Sequence, residues 1–109
     1  MPYFSVITPV YNRVDEVRDL LESLSQQTSR NFEVIIVEDG STIPCKTVAD
    51  AYAGKLDLKY FHKSNEGRSI ARNYGIEHSC GEYLVFFDSD CIIPPQYFET
   101  LETELRNNY

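Results

Sequence analysis

The stretch Tyr83-Leu84-Val85-Phe86-Phe87 runs apolar and aromatic without a break, and then two carboxylates appear one residue apart in Asp88-Ser89-Asp90. A continuous run with β-branched and aromatic members predicts a strand buried on both faces of a parallel sheet. Cys91-Ile92-Ile93 follows, and Pro94-Pro95 bars the strand from continuing. Asp88 and Asp90 therefore belong where a buried strand surfaces, at its carboxyl end. Open α/β sheets bind their ligands at those ends. Two acids placed there repel each other unless a cation lies beside them. Asp-x-Asp is also ordinary turn chemistry, since short polar side chains bond nearby backbone. The motif alone does not decide between the two.

The same pattern recurs upstream. Tyr3 to Thr8 reads as a strand that Pro9 ends, and Val10 to Arg13 as a loop. From Val14 to about Gln27, Val14, Val17, Leu20, Leu21 and Leu24 recur at helical spacing, with Asp15, Glu16, Asp19 and Glu22 off the stripe. Phe32 to Val37 is a second buried strand, ending in Glu38-Asp39-Gly40-Ser41. A short helix is predicted from Thr47 to Tyr52, a weaker strand over Leu58 to His62 and a helix from Arg68 to about Ser79. A last helix follows from Pro95 to about Arg106. Gly75 inside a helix costs about 1 kcal/mol against Ala, which predicts close packing at that point.

The βαβαβαβα alternation with short connections predicts an α/β fold: a Rossmann-like parallel sheet with helices on both faces. All four strand ends then share one edge. Pro9 to Arg13, Glu38 to Ser41, the His62 to Arg68 loop and Asp88 to Asp90 meet there.

Several residues on that edge admit two readings. Asp39 is a turn former or an acceptor for the N–H of a nucleotide base. Tyr11 is a partly buried core residue or a ring stacked on a base. Arg68 and Arg72, spaced i, i+4 at a helix start, form surface ion pairs to Glu66 or Glu77 or meet a phosphate. His62 and His78 read as core or surface histidines, with no metal-ligand spacing around them. Glycine-rich phosphate loops of the GxGxxG and GxxxxGK[ST] types are absent. A divalent cation on carboxylates is the substitute: hard oxygen ligands select Mg²⁺ or Mn²⁺.

The 109 residues are enough for one domain, and a net charge of −7 disfavours nucleic acid as a partner. The three cysteines, Cys45, Cys80 and Cys91, suggest neither a disulfide framework nor a zinc site, which fits reduced thiols in a cytosolic setting. No leader or membrane-spanning run is visible.

Taken together, Phe4 to Asn12, Phe32 to Thr42, Asn65-Glu66-Gly67, Ala71-Arg72-Asn73-Tyr74-Gly75-Ile76 and Gly81-Glu82-Tyr83 running into Asp88-Ser89-Asp90 resemble the donor-binding half of an inverting family-two glycosyltransferase of GT-A fold. The resemblance covers nearly the whole chain. It implies residues 1–109 as the nucleotide-sugar-binding segment and the sheet order 3-2-1-4. Pro9 and Tyr11 would line the base pocket and Asp39 would take the base N–H. Arg68 or Arg72 would lie near the base or diphosphate, and Asp88 would face the ribose and the metal's water shell, with Ser89 between the two acids. Asp90 would ligate Mn²⁺ or Mg²⁺ on the diphosphate of a UDP-sugar.

The family often carries Asp-Asp where this chain has Glu38-Asp39, and another Asp in place of Cys91. The second difference removes one carboxylate from the metal's surroundings. Its catalytic base lies well past the matched stretch, so the resemblance places that base beyond Tyr109. The implied acceptor is a glycan or lipid-linked sugar, and the implied setting the cytoplasm, at the inner face of the membrane for a full-length protein. A non-catalytic nucleotide- or metal-binding module is the competing reading. A receiver-like signalling domain fits less well, because its paired acids follow the first strand, where Thr8-Pro9 stands here. With order 3-2-1-4 the Tyr83 strand is an edge, an invitation to self-association.

Overall fold

The structure, a computed structural model, describes residues 3–108. Four parallel strands, β1 (Phe4–Val10), β2 (Phe32–Asp39), β3 (Leu58–Lys63) and β4 (Tyr83–Phe86), form one sheet in the order β3-β2-β1-β4. Four helices alternate with them: α1 (Val14–Ser25), α2 (Lys46–Tyr52), α3 (Arg68–Glu77) and α4 (Tyr97–Asn108). The architecture and strand order are those the alternation and the resemblance predict. No helix among the described residues is long and apolar enough to cross a membrane.

Side chains of a strand alternate between faces, and here each face has its own core. Phe4, Val6 and Val10 of β1 and Val34 and Ile36 of β2 pack with Val17, Leu20, Leu21 and Leu24 of α1, Val48 of α2 and Phe98 of α4. Ile7, Ile35 and Val37 face the other way and pack with Ala71 of α3. Gly75 lies at the contact of α3 with the sheet: a Cβ there would stand 2.7 Å from Cγ2 of Ile7. Phe98 stacks on Phe32 with ring centroids 4.4 Å apart, which ties α4 to the start of β2. Gln27 fixes the approach to α4, donating to the Pro94 carbonyl at 2.7 Å and accepting from the Phe98 N–H at 3.2 Å.

Two local expectations change. Pro9 does not end β1, which continues to Val10 opposite Glu38. The carbonyls of Tyr3 and Ile7 accept from Tyr83 and Phe87, so the odd-numbered residues of β1 address β4. The β1–β4 pairing stops at Ile7 and Phe86. The N–H that Pro9 lacks therefore has no strand to meet. β4 is not buried on both faces: Tyr83, Leu84 and Phe86 are exposed. Val85 and Phe87 pack into the larger core, but α3 packs mainly on β1 and β2 and reaches β4 through Arg72, which lies over Phe86. The strand is the sheet's edge, as the order 3-2-1-4 requires.

At the amino end of β2, Glu33 is fully buried. Its carboxylate accepts from the Ser5 hydroxyl at 2.6 Å and the Cys80 N–H at 2.7 Å, and pairs with Lys59 at 2.9 Å. Burial pushes this carboxyl up, but hydrogen bonds from Ser5, Cys80 and Lys59 outweigh it and hold it below the usual range. A lowered carboxyl stabilises the fold above its unfolded value of about 4.3, and the contribution disappears as pH falls through the folded value. Glu33→Gln should therefore lower the thermal midpoint most near neutrality, with the gap to wild type closing below about pH 4. Thermal unfolding followed across pH checks this, and a gap of constant size would contradict it. Gly75→Ala gains about 1 kcal/mol of helix propensity but overpacks against Ile7 at a cost of about 1–3 kcal/mol. Net destabilisation in denaturant titration is expected.

Candidate functional site

All four strand ends open onto one cavity of about 320 Å³, at the low end of the range typical of small-molecule sites. Its lining is Pro9, Val10, Tyr11, Arg13, Asp39, Asn65, Arg68 and Ser89. Five residues singled out from the sequence, Pro9, Tyr11, Asp39, Arg68 and Ser89, thus face one space. Asp88 reaches it indirectly, with its carboxylate 3.4 Å from the Arg68 guanidinium. Asp90 is exposed on the turn closed by the Cys91 N–H donating to the Asp88 carbonyl at 3.1 Å. Arg72 stands apart. Its guanidinium lies 5.7 Å from the centre of the Phe86 ring, and its buried Nε has no partner among the described residues. Between the two arginines the structure places Arg68 at the cavity and Arg72 against β4. The expected partners Glu66 and Glu77 pair with neither of them; Glu66 bonds Lys63 at 2.7 Å.

Asp39 is the last residue of β2 and nearly buried, so it is not a turn residue. Its Oδ1 accepts from the Glu66 N–H at 2.9 Å and its Oδ2 from the Gly67 N–H at 3.0 Å. Lys63 Nζ stands 3.8 Å away. A carboxylate offers about four acceptor positions, so these two bonds leave capacity on the cavity side. Gly40 turns the chain immediately afterwards at φ +74°, and a Cβ there would sit 2.6 Å from the Asn65 backbone nitrogen. Close backbone approach brings Asn65 to the cavity wall.

Tyr11 is half exposed, which leaves its ring available on the cavity rim rather than in the core. Arg13 is the residue the sequence reading passed over. It lines the cavity with Tyr11, and its one ion pair, to Glu16, is long at 3.8 Å and exposed. Its position one residue before α1 and two after Tyr11 was the available signal. The histidines lie elsewhere: His78 donates from Nδ1 to the Tyr74 carbonyl at 2.8 Å, and its ring sits 4.4 Å from Phe61, while His62 is exposed.

Among the described residues no group of three or more His, Cys, Asp or Glu side chains is arranged to hold a metal by itself. Asp88 and Asp90 are two exposed carboxylates on the turn that follows β4. That fits a Mg²⁺-type site, in which one or two carboxylates are completed by water and substrate phosphates.

The sequence profile of Glycosyl transferase family 2 matches residues 5–109. The chain belongs to that family. It is 40% identical over 102 residues to an uncharacterized glycosyltransferase of Rickettsia felis, covering 94% of this chain and 16% of that protein. The fold superposes on S. aureus TarS 1-349 in complex with UDP-GlcNAc with a TM-score of 0.84 and 35% identity, over 97% of this chain and 30% of that one. The mannosyltransferase PcManGT of Pyrobaculum calidifontis, in complex with GDP-Man and Mn²⁺, gives 0.83 and 26% identity over 96% and 32%. The chain thus spans under a third of each of these proteins and about a third of PcManGT.

Because Asp39 holds two backbone donors, Asp39→Ala would strand them. The expected cost is about 1–3 kcal/mol of stability, with faster hydrogen exchange at the Glu66 and Gly67 amides than in wild type. Unchanged exchange at both amides would contradict that role.

Proposed function

We propose that residues 1–109 form the nucleotide-sugar-binding segment of an inverting, metal-dependent glycosyltransferase, which moves a sugar from a nucleoside diphosphate, UDP, to a hydroxyl of a glycan or lipid-linked acceptor. The observation that carries the reading is the shared cavity: a rim tyrosine, a buried carboxylate and two arginines converge from separate strand ends of a family-two fold. TarS with UDP-GlcNAc and PcManGT with GDP-Man and Mn²⁺ support the donor class and the ion.

In this reading Tyr11 stacks on the base and Asp39 accepts its N–H while keeping its bonds to Glu66 and Gly67. Arg68 exchanges an exposed ion pair, worth about 0–1 kcal/mol, for a charge-assisted and bidentate contact to phosphate. Arg13 does the same from the β1–α1 loop. Asp88 and Asp90 hold Mn²⁺ or Mg²⁺, and the ion when bound supplies charge neutralisation to the departing diphosphate. None of these residues is assigned the role of general base in this reading.

Thermal shift with UDP, with and without Mn²⁺, tests the reading. At about a hundredfold excess over Kd the stabilisation is about 2.7 kcal/mol, roughly ten degrees for a domain of this size. Asp90→Ala should abolish the manganese-dependent part. Arg68→Gln should weaken the response with and without metal. A midpoint indifferent to UDP under both conditions would sink the proposal.

A further inference from the structure

Asn12 lies between two cavity-lining residues, Tyr11 and Arg13, and has the one positive φ of any non-glycine residue described, +52°. Such a conformation is uncommon outside glycine and persists where the surroundings hold it. Here they hold it from two directions. The Asn12 N–H donates to the Ser41 hydroxyl at 2.9 Å. The Asn12 side-chain oxygen accepts from the Thr42 N–H at 2.9 Å, the Thr42 hydroxyl at 3.2 Å and the Ile43 N–H at 3.1 Å.

Ser41 is itself anchored, donating to the carboxylate of Glu38. Glu38 is fully buried and has no cationic partner among the described residues. Its remaining capacity is filled by the Cys45 N–H and by the Tyr60 hydroxyl at 3.1 Å. Burial, with Glu38 adding to it, pushes both the Cys45 thiol and the Tyr60 phenol up, so both stay protonated. The carboxylate thus gathers donors from the β2–α2 loop and from β3, and passes a fixed hydroxyl to the β1–α1 loop.

We propose that the chain Glu38–Ser41–Asn12 is a positioning device that sets the Tyr11 and Arg13 walls of the cavity for nucleotide. The alternative is that these bonds only hold two loops together, and the two differ in what they predict for ligand affinity. A residue turned into the left-handed region sends its neighbours in directions an extended loop would not. With Asn12 pinned, Tyr11 and Arg13 are presented before ligand arrives, so the ordering cost is met on folding rather than on binding. The inference rests on the nucleotide reading of the cavity, and none of the three residues needs to touch the ligand.

The test compares Ser41→Ala, Asn12→Ala and Asn12→Asp, each in the 109-residue chain, by calorimetric titration of UDP with Mn²⁺ and by hydrogen exchange at the Asn12 amide. Asp keeps the accepting oxygen and tolerates the left-handed conformation, so it serves as the rescue. Ser41→Ala and Asn12→Ala should weaken UDP binding about tenfold or more, the size of one lost hydrogen bond to a charged or fixed group. Asn12→Asp should restore most of the affinity. Ser41→Ala should also speed exchange at the Asn12 amide without ligand present. Wild-type affinity in a folded Ser41→Ala or Asn12→Ala protein overturns the inference. So does an equal loss in Asn12→Ala and Asn12→Asp. If the wild-type chain itself ignores UDP, the nucleotide reading fails and this inference with it. Faster Asn12 exchange in Ser41→Ala would then show that the bonded chain exists but sets up no nucleotide site.

Discussion

Two adjacent carboxylates end the central strand β2 and point to opposite faces of the sheet. Glu38 goes to the face of α1 and α2, where Ser41, Cys45 and Tyr60 satisfy it, and Asp39 goes to the face of α3, where Glu66 and Gly67 do. Burying a carboxylate without partners is expensive enough to prevent folding in that form. Each acid therefore dictates the path of a loop: the β2–α2 connection folds back around Glu38, and the β3–α3 connection folds around Asp39. The β3–α3 loop held by Asp39 lines the cavity with Asn65 and Arg68, and the β2–α2 loop held by Glu38 bears on it through its bonds to Asn12. The cavity's shape follows from satisfying charge at the end of one strand, with the apolar cores supplying the platform beneath.

Much of this was legible in the sequence. The apolar runs at Val34 to Val37 and Tyr83 to Phe87 and the helical stripe of Val17, Leu20, Leu21 and Leu24 are local signals, and alternation of such signals is enough to fix a parallel sheet. Gly75 announced a close approach because glycine in a helix needs a reason. What was not legible depends on partners far away in the chain. Asp39 read equally as a turn residue or a base acceptor because its donors, Glu66 and Gly67, are 27 and 28 positions on. Pro9 looked like a terminator because nothing local says that the neighbouring strand has already stopped. Phe86 looked fully buried because an apolar run does not reveal whether its strand lies inside the sheet or at its edge. Arg13 was passed over because its importance comes from lining one cavity with Tyr11 and Asp39, which its place between Tyr11 and α1 only hints at.

A chain of net charge −7 is an unpromising host for an anion, and the way the arginines are held bears on this. Arg13 and Arg68 each sit more than half exposed, in ion pairs of 3.8 and 3.4 Å to Glu16 and Asp88. Pairs of this length and exposure contribute little to stability. Giving them up costs little, while a guanidinium on a phosphate gains a planar, two-point contact. Arg72 offers a contrast: stacked over Phe86 with a buried Nε, it has packing to lose on moving. The same logic separates the acids. Glu33, Glu38 and Asp39 are committed to the fold by three or more polar contacts each, whereas Asp88 and Asp90 stand exposed at the tip of an edge strand. Charge committed to structure and charge left available thus occupy different strand ends, and in the proposed complex only the available set would have to rearrange around a diphosphate and its cation.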